Sequence, residues 1–403
     1  MRTPAGGEHE CLTTAKAPQL EDTPKVPLKI GIVTEYYYPL LGGISENVHH
    51  TATELVARGH AVTIISAAPP PNGFHLPVPN GIPTRRIGRS VKVYGNGAIA
   101  HFAVGTHLWR DLRDVLQAER FDLLQLHSPL FFTLPPLAAL LGNCPRIGTF
   151  HSYFEPTMVY SALKGILQKQ FVNRLDGVTV VSPSVLRALS RYFELDARVI
   201  PNGVDTQMFN PQVPRLTRFS ADKRTLLFLG RFDPRNGLPF MLRAFAEVRK
   251  RLHDVRLVVV GTGPLEGVYT RMVPDELRDD VHFEGPALIN RPSYYATADL
   301  FCSPISNASF GITLLEAMAC GTPIVATDNV GYRDLLGPEG LLVPHDVQVF
   351  ADAIVQMLSD DRLLVAMREA GLRKAEQYSW PSVVTQLLEY FTEVVEGRCP
   401  VGS

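Results

Sequence analysis

The sequence is poor in cysteine and almost without net charge. Its five cysteines (Cys11, Cys144, Cys302, Cys320 and Cys399) are scattered, with no CxxC pair and no histidine cluster at metal spacing. That argues against a zinc ribbon, any other metal site and a disulfide scaffold, and it suits a reducing cytosol. The formal charge of −1 offers no broad basic surface for nucleic acid. Long apolar runs are also missing. The longest, LFFTLPPLAALLG at 130–142, is too short to span a bilayer and is broken by proline. Residues 1–27 contain no apolar leader; they are polar and proline-rich and read as a disordered tail. The expected location is cytoplasmic, with the inner face of the membrane as an option.

A repeated alternation of short β-branched runs and helical segments is present instead. LKIGIVTEY (28–36), HAVTIISA (60–67), FDLLQLH (121–127), PRIGTFH (145–151), DGVTVVS (176–182) and ARVIPNGV (197–204) read as strands. Helices are expected through ENVHHTATELVARG and over 106–118. A polar, proline-containing stretch at 208–223 then interrupts the rhythm, which restarts with RTLLFLGRF (224–232), VRLVVVGTGP (255–264), VHFEG (281–285), ADLFCSP (298–304), TPIVAT (322–327) and GLLVP (340–344). This is α/β patterning with mostly parallel sheets, and 403 residues suit two such units. The expected division is a domain over 28–207, a second over 208–378, and a last helix over 379–395 lying across both.

Open parallel sheets bind ligands at the carboxyl ends of their strands. There the first unit places Gly42, Gly43, His127 and His151. The second places Arg231, the Gly261-Thr262-Gly263 turn, Gly285 and the Ser309-Phe310-Gly311 loop. Glycine turns with an arginine suit an anionic, phosphate-bearing ligand. A helix starting near Gly311 would aim the N–H groups of Phe310, Gly311 and Ile312 at a phosphate. Glu316 lies more than one turn further in, among Leu314, Leu315, Ala317 and Met318. A buried carboxylate needs donors, and the two hydroxyls of a ribose would supply them. Arg231 would grip a diphosphate, with Arg235 as a second charge. His127 and His151 would meet a hydroxylated substrate. The segment 160–174, with Lys164, Lys169 and Arg174 between apolar residues, reads as a helix with a solvated face and is a candidate for resting on a membrane.

The motifs GRFDPRNGL (230–238), VVVGTGP (258–264), ADLFCSPISNASFGITLLEAMACGTPIVAT (298–327) and VIPNGVD (199–205) together resemble glycosyltransferase family 4. GG at 42–43, LQLHSPL (124–130) and TFHSYF (149–154) agree in the first unit. The likeness covers about residues 28–392 and is greatest to lipid-directed mannosyltransferases of the phosphatidylinositol type. It implies the GT-B fold, two Rossmann-like domains with a cleft between them. It also implies retaining transfer of a hexose, mannose among the candidates, from a GDP- or UDP-sugar to a lipid or glycan acceptor, with no metal required. Arg231 and Gly43 would bind the diphosphate, the 309–312 loop the phosphates, Glu316 the ribose and Gly285–Ala287 the base. His151 would lie at the reacting centre, and Ser45 and His101 would stand at the acceptor.

The sequence departs from that pattern twice. The family's first glutamate, seven residues before the second, is here Ala308, and the lysine after its arginine is Asn236. Losing one transition-state donor or charge costs roughly 3–4 kcal/mol, a hundredfold or more in rate. An active transferase of a divergent branch, with a different donor sugar or a compensating contact, is expected. The alternatives are a non-catalytic nucleotide-sugar-binding or regulatory protein, an engineered variant of an active enzyme, and another GT-B chemistry such as phosphorolysis or epimerisation.

Overall fold

The computed structural model describes residues 26–40, 42–69, 81–95, 98–130, 133–219, 222–287 and 290–397. The tail expected over 1–27 lies outside these residues up to position 25. The strands of the first sheet are β1 (Lys29–Thr34), β2 (Ala61–Ala68), β3 (Thr84–Gly95), β4 (Ala98–Val104), β5 (Leu123–His127), β6 (Arg146–Phe150), β7 (Gly177–Val180) and β8 (Arg198–Val199). Their order is β4-β3-β2-β1-β5-β6-β7-β8. Neighbours are parallel except the β3–β4 hairpin, which the βα rhythm does not anticipate. The strand expected over 197–204 shrinks to two residues. Ile200 N–H still donates to Val180 O at 2.9 Å, but Pro201 has no N–H to extend the ladder.

The second sheet comprises β9 (Arg224–Leu229), β10 (Val255–Val260), β11 (Val281–Phe283), β12 (Leu300–Ser303), β13 (Ile324–Thr327) and β14 (Gly340–Val343), in the order β11-β10-β9-β12-β13-β14. All its pairings are parallel. Such strands are covered on both faces, and their near-continuous apolar runs follow from that; every residue of β10 is buried. Strand order reverses between β1 and β5 and again between β9 and β12. Each reversal opens a crevice beyond the strand ends, and the two crevices face one another.

The chain passes between the two halves twice, and the passages are fastened together. Val204 N–H donates to Tyr378 O at 2.8 Å, and Trp380 N–H donates to Val204 O at 3.2 Å. The final helix, Trp380–Val395, then packs on the first sheet. Its Trp380, Val384, Leu387 and Phe391 share a buried cluster with Ile30, Ile32, Val48 and Leu55. A second buried cluster joins the halves directly, with Val33, Leu126 and Phe150 of one beside Phe310, Leu314 and Leu315 of the other. Burying one such side chain contributes about 1.5–3 kcal/mol, so the halves are held together by apolar packing as well as by chain connection.

The segment expected as a helix over 160–174 forms the helix Met158–Gln170 and a short 3-10 turn, Val172–Arg174. Thr157 caps it, accepting from Tyr160 N–H at 3.2 Å. No residue of this helix is buried. Met158 is 89% exposed, and Val159, Leu163 and Ile166 are exposed as well.

Candidate active site

Arg231 follows β9 in a loop that the sequence builds tightly. Gly261, at φ +145°, would place a Cβ 1.9 Å from Gly230 O, so only glycine lets the two turns meet. Gly230 N–H donates to Val260 O at 3.0 Å and Phe232 N–H to Thr262 O at 3.0 Å. The Gly261-Thr262-Gly263 turn thus props the Arg231 loop. Asn236 Nδ2 donates to Arg231 O at 2.8 Å. The residue standing where the family has lysine is spent on loop geometry. The Arg231 side chain is 59% exposed, with Asp233 at 3.7 Å. Arg235 is exposed.

Across the cleft, the field of Arg231 reaches Tyr36 and His101. Burial first, with the charges of Lys92 and Arg231, lowers the pKa of His101; burial raises that of the Tyr36 phenol. His101 Nδ1 is 2.8 Å from Ser90 Oγ, and His101 N–H donates to Tyr36 Oη at 3.0 Å. Behind them Glu35 is buried and accepts from three backbone N–H groups: Ala103 at 3.0 Å, Thr133 at 2.5 Å and Leu134 at 2.7 Å. It pins the hairpin to the end of β1. Tyr36, Ser90 and Glu35 were not anticipated. The signal available for them was the polar EY directly after the β1 run.

The helix Ile312–Ala319 starts at Gly311, whose φ is +125°. Its first-turn N–H groups have no partners within the helix. Gly43 approaches from the other half, and a Cβ there would lie 3.0 Å from Ile312 Cδ1. Gly42 precedes the helix Gly43–Ala57, with open space around it. Phe310 is buried beside Tyr378. Ser309 closes the cleft at this point. Its Oγ accepts from Tyr153 N–H at 2.8 Å, and its carbonyl accepts from Ser182 Oγ at 2.8 Å. Next to it, Asp334 accepts from Ser184 N–H at 2.6 Å and from Arg187 at 2.9 Å. The Ser309 side chain, expected on the donor, therefore serves as a bond between the halves.

Glu316 is 3% exposed, and its donors come from the protein. Oε1 meets Arg291 Nη2 at 2.9 Å and Oε2 accepts from Tyr295 Oη at 2.9 Å. Burial pushes its carboxyl above the ordinary value, against the pull of Arg291 and Tyr295. Arg291 lies over the ring of Phe209 at 5.2 Å and feels Glu46 and Tyr38 of the first half. Arg291 and Tyr295 stand on the helix Arg291–Thr297, some twenty residues before Glu316, so no local motif announces them. Gly285, at φ +68°, accepts from Gly261 N–H at 2.8 Å. Ala287 is half-buried beside it, and residues 288–289 are not among those described.

Two acceptor expectations are corrected. Ser45 is fully buried and donates to Leu40 O at 2.6 Å, which ties the turn ahead of its helix and keeps the hydroxyl from the cleft. His127 is buried behind His151, its Nδ1 2.7 Å from His151 Nε2. Burial holds His151 down to about 4 and His127 well below the ordinary value, so both rings are neutral at pH 7. Among the described residues no group of three or more His, Cys, Asp or Glu side chains is placed to hold a metal.

Two facing Rossmann-like sheets, with the last helix returned to the first, define the GT-B class of glycosyltransferase. Comparison with known proteins agrees. Residues 41–208 match the family described as Glycosyltransferase Family 4, and residues 223–360 match Glycosyl transferases group 1. A phosphatidyl-myo-inositol mannosyltransferase of Mycolicibacterium smegmatis is 31% identical over 92% of this chain and 95% of its own. A D-inositol 3-phosphate glycosyltransferase of Corynebacterium aurimucosum is 28% identical over 70% and 73%. Among solved structures, sucrose-phosphate synthase of Thermosynechococcus elongatus superposes with TM-score 0.70 at 22% identity, over 92% of this chain and 99% of that one. Anabaena Alr3699/HepE in complex with UDP and glucose gives TM-score 0.70 at 20% identity, over 91% and 99%. The chain belongs to glycosyltransferase family 4.

Proposed function

We propose that this glycosyltransferase moves a hexose, with retention, from a nucleotide-diphospho-sugar to a lipid or glycan acceptor. Mannose is favoured, since the mannosyltransferase above shares 31% of its residues over nearly the whole chain. The observation that carries the reading is the meeting of the two strand-end crevices. A Cβ on Gly43 would lie 3.0 Å from Ile312 Cδ1, and the charge of Arg231 reaches His101 and Tyr36. A diphosphate between Gly43, Arg231 and the N–H groups at Gly311–Ile312, where the helix begins, would be neutralised as it leaves. Glu316 would take the ribose hydroxyls, exchanging or sharing its protein donors, and Gly285 and Ala287 would flank the base. GDP- and UDP-sugars are the candidate donors. His151 would contact the transferred sugar. The acceptor would enter beside His101 and Tyr36, and its proton would pass to the leaving phosphate. The protein's part is then positioning and charge stabilisation.

The exposed apolar residues of the Met158–Gln170 helix, with Lys164 and Lys169, would rest on a membrane carrying a lipid acceptor. No described helix is long and apolar enough to cross one. A second reading, nucleotide-sugar binding without turnover, is favoured by the use of Asn236 on Arg231 O and by Ala308.

The test pairs thermal melting with GDP, UDP and ADP against nucleotide release from the matching sugar donors. A ligand at a hundred times its Kd adds about 2.7 kcal/mol, a shift of a few degrees. A shift with one nucleotide that is lost in Arg231→Ala, together with turnover, supports the transferase. The same shift without turnover on lipid and sugar acceptors selects the second reading. No shift with any nucleotide rejects both.

A further inference from the structure

The His127–His151 contact carries more than proximity. The ring planes are 11° apart and the centroids 4.9 Å apart, while the Nδ1–Nε2 distance is 2.7 Å. A centroid spacing that exceeds the nitrogen spacing by only two ring half-widths puts the rings edge to edge in nearly one plane. That is the geometry of an in-line hydrogen bond, not of a π stack. Two neutral imidazoles sharing one such bond have one proton between the facing nitrogens. Whichever ring donates, the tautomer of one fixes that of the other.

The surroundings choose between the two arrangements. His127 Nε2 is buried without a partner. If it carried the proton, an N–H would be orphaned in the core, and orphaned buried N–H groups are rarer than under-satisfied acceptors. The better arrangement leaves His127 Nε2 bare and puts its proton on Nδ1. His151 then accepts at Nε2 and carries its own proton on Nδ1, the one nitrogen it has left for the cleft, where 9% of the residue is exposed. The bed under the pair is also fixed: Gln125 Nε2 donates to Thr149 Oγ1 at 3.0 Å and Thr179 Oγ1 donates to the same oxygen at 2.9 Å.

We propose that His127 is a positioning residue that locks His151 in its Nδ1–H tautomer, so that His151 meets bound substrate as a neutral hydrogen-bond donor to oxygen and not as a base. The role assigned to His151 rests on the transferase reading; the tautomer does not.

The test is nitrogen-15 NMR of the histidine-labelled full chain at neutral pH, with the His151 signals assigned by their loss in His151→Ala. It is run on the wild type and on three variants, with melting temperature as the check on folding. His127→Asn keeps an N–H near the Nδ1 position. His127→Asp offers only an acceptor there. His127→Leu offers nothing. The expected result is His151 protonated at Nδ1 in the wild type and in the Asn variant, and at Nε2 in the Asp variant. Turnover should be higher in the Asn variant than in the Leu and Asp variants, by roughly tenfold or more if one substrate hydrogen bond is at stake. A wild-type His151 protonated at Nε2, or no change of tautomer in the folded Asp variant, overturns the proposal. Equal turnover in folded Asn and Leu variants does so too. If no form of the protein turns over, the spectrum still decides the tautomer, and only the transferase reading fails.

Discussion

Removing the guanidinium of Arg291 tests the electrostatics of the cleft floor most directly. In Arg291→Met the Glu316 carboxylate, 3% exposed, keeps one donor, Tyr295 Oη at 2.9 Å, and loses its ion partner at 2.9 Å. Breaking one side of a buried pair costs about 3–5 kcal/mol. For a domain of this size about 2–4 °C accompanies each kcal/mol, so a melting-temperature drop of roughly 6–20 °C is expected. The double variant Arg291→Met with Glu316→Leu removes the stranded charge and should recover most of the loss. The pH dependence has a definite sign. A carboxyl whose folded pKa is raised binds more protons in the folded state, so stability falls as pH rises. In the single variant the penalty is absent below the ordinary value of 4.5. It grows through the window above that and is full once pH passes the raised folded value. The assay is thermal and urea melting of wild type, single and double variants from pH 4.5 to 8. A single variant that loses under 1 kcal/mol, or whose loss is the same at both ends of that range, refutes the reasoning.

Three further outcomes are expected. Ala308→Glu restores the family carboxylate and should raise nucleotide release tenfold or more, given roughly 3–4 kcal/mol for a transition-state contact; an unchanged rate means Ala308 is not what limits turnover. His151, held down to about 4 by burial, charges more readily in the unfolded chain, so it withdraws stability as pH falls from 6.5 towards 4. Melting of His151→Phe should therefore be less acid-sensitive than wild type, and parallel curves would contradict this. Asp334→Ala removes the acceptor of Ser184 N–H and Arg187. It should expand the nucleotide-free protein in small-angle scattering, and an unchanged radius of gyration would show that this clasp does not hold the halves.

The parallel sheets were legible because each buried strand is a local apolar run. Arg231 and Gly311 were legible because a strand end and a helix start are also local. The β3–β4 hairpin was not, because TRRIGRSVKVYG mixes charge into β3, which lies next to the antiparallel edge strand β4, where the sheet needs burial on fewer sides. The polar residues failed for a different reason. Whether Ser45 faces a cleft or a backbone carbonyl, and whether Glu316 awaits a ribose or already holds Arg291, depends on partners distant in the chain or on a few degrees of helix rotation. Gly261 shows the same limit: its place at a strand end suits ligand contact, whereas its positive φ lets it pass close to Gly230 O in the neighbouring turn.

The double passage between the halves also bears on how such a chain can be rearranged. The second sheet and its helices are inserted between the first sheet and the helix that completes that sheet's core. A transplantable first domain is therefore not a continuous stretch of sequence. It needs Trp380–Val395 along with everything up to Val204, and a chimera cut only once would leave Ile30, Val48 and Leu55 open to water. Exchange of the second half between relatives calls for two cuts side by side, at the ribbon where Val204 meets Tyr378 and Trp380. The incoming half then arrives as a cassette, with both its ends at one point.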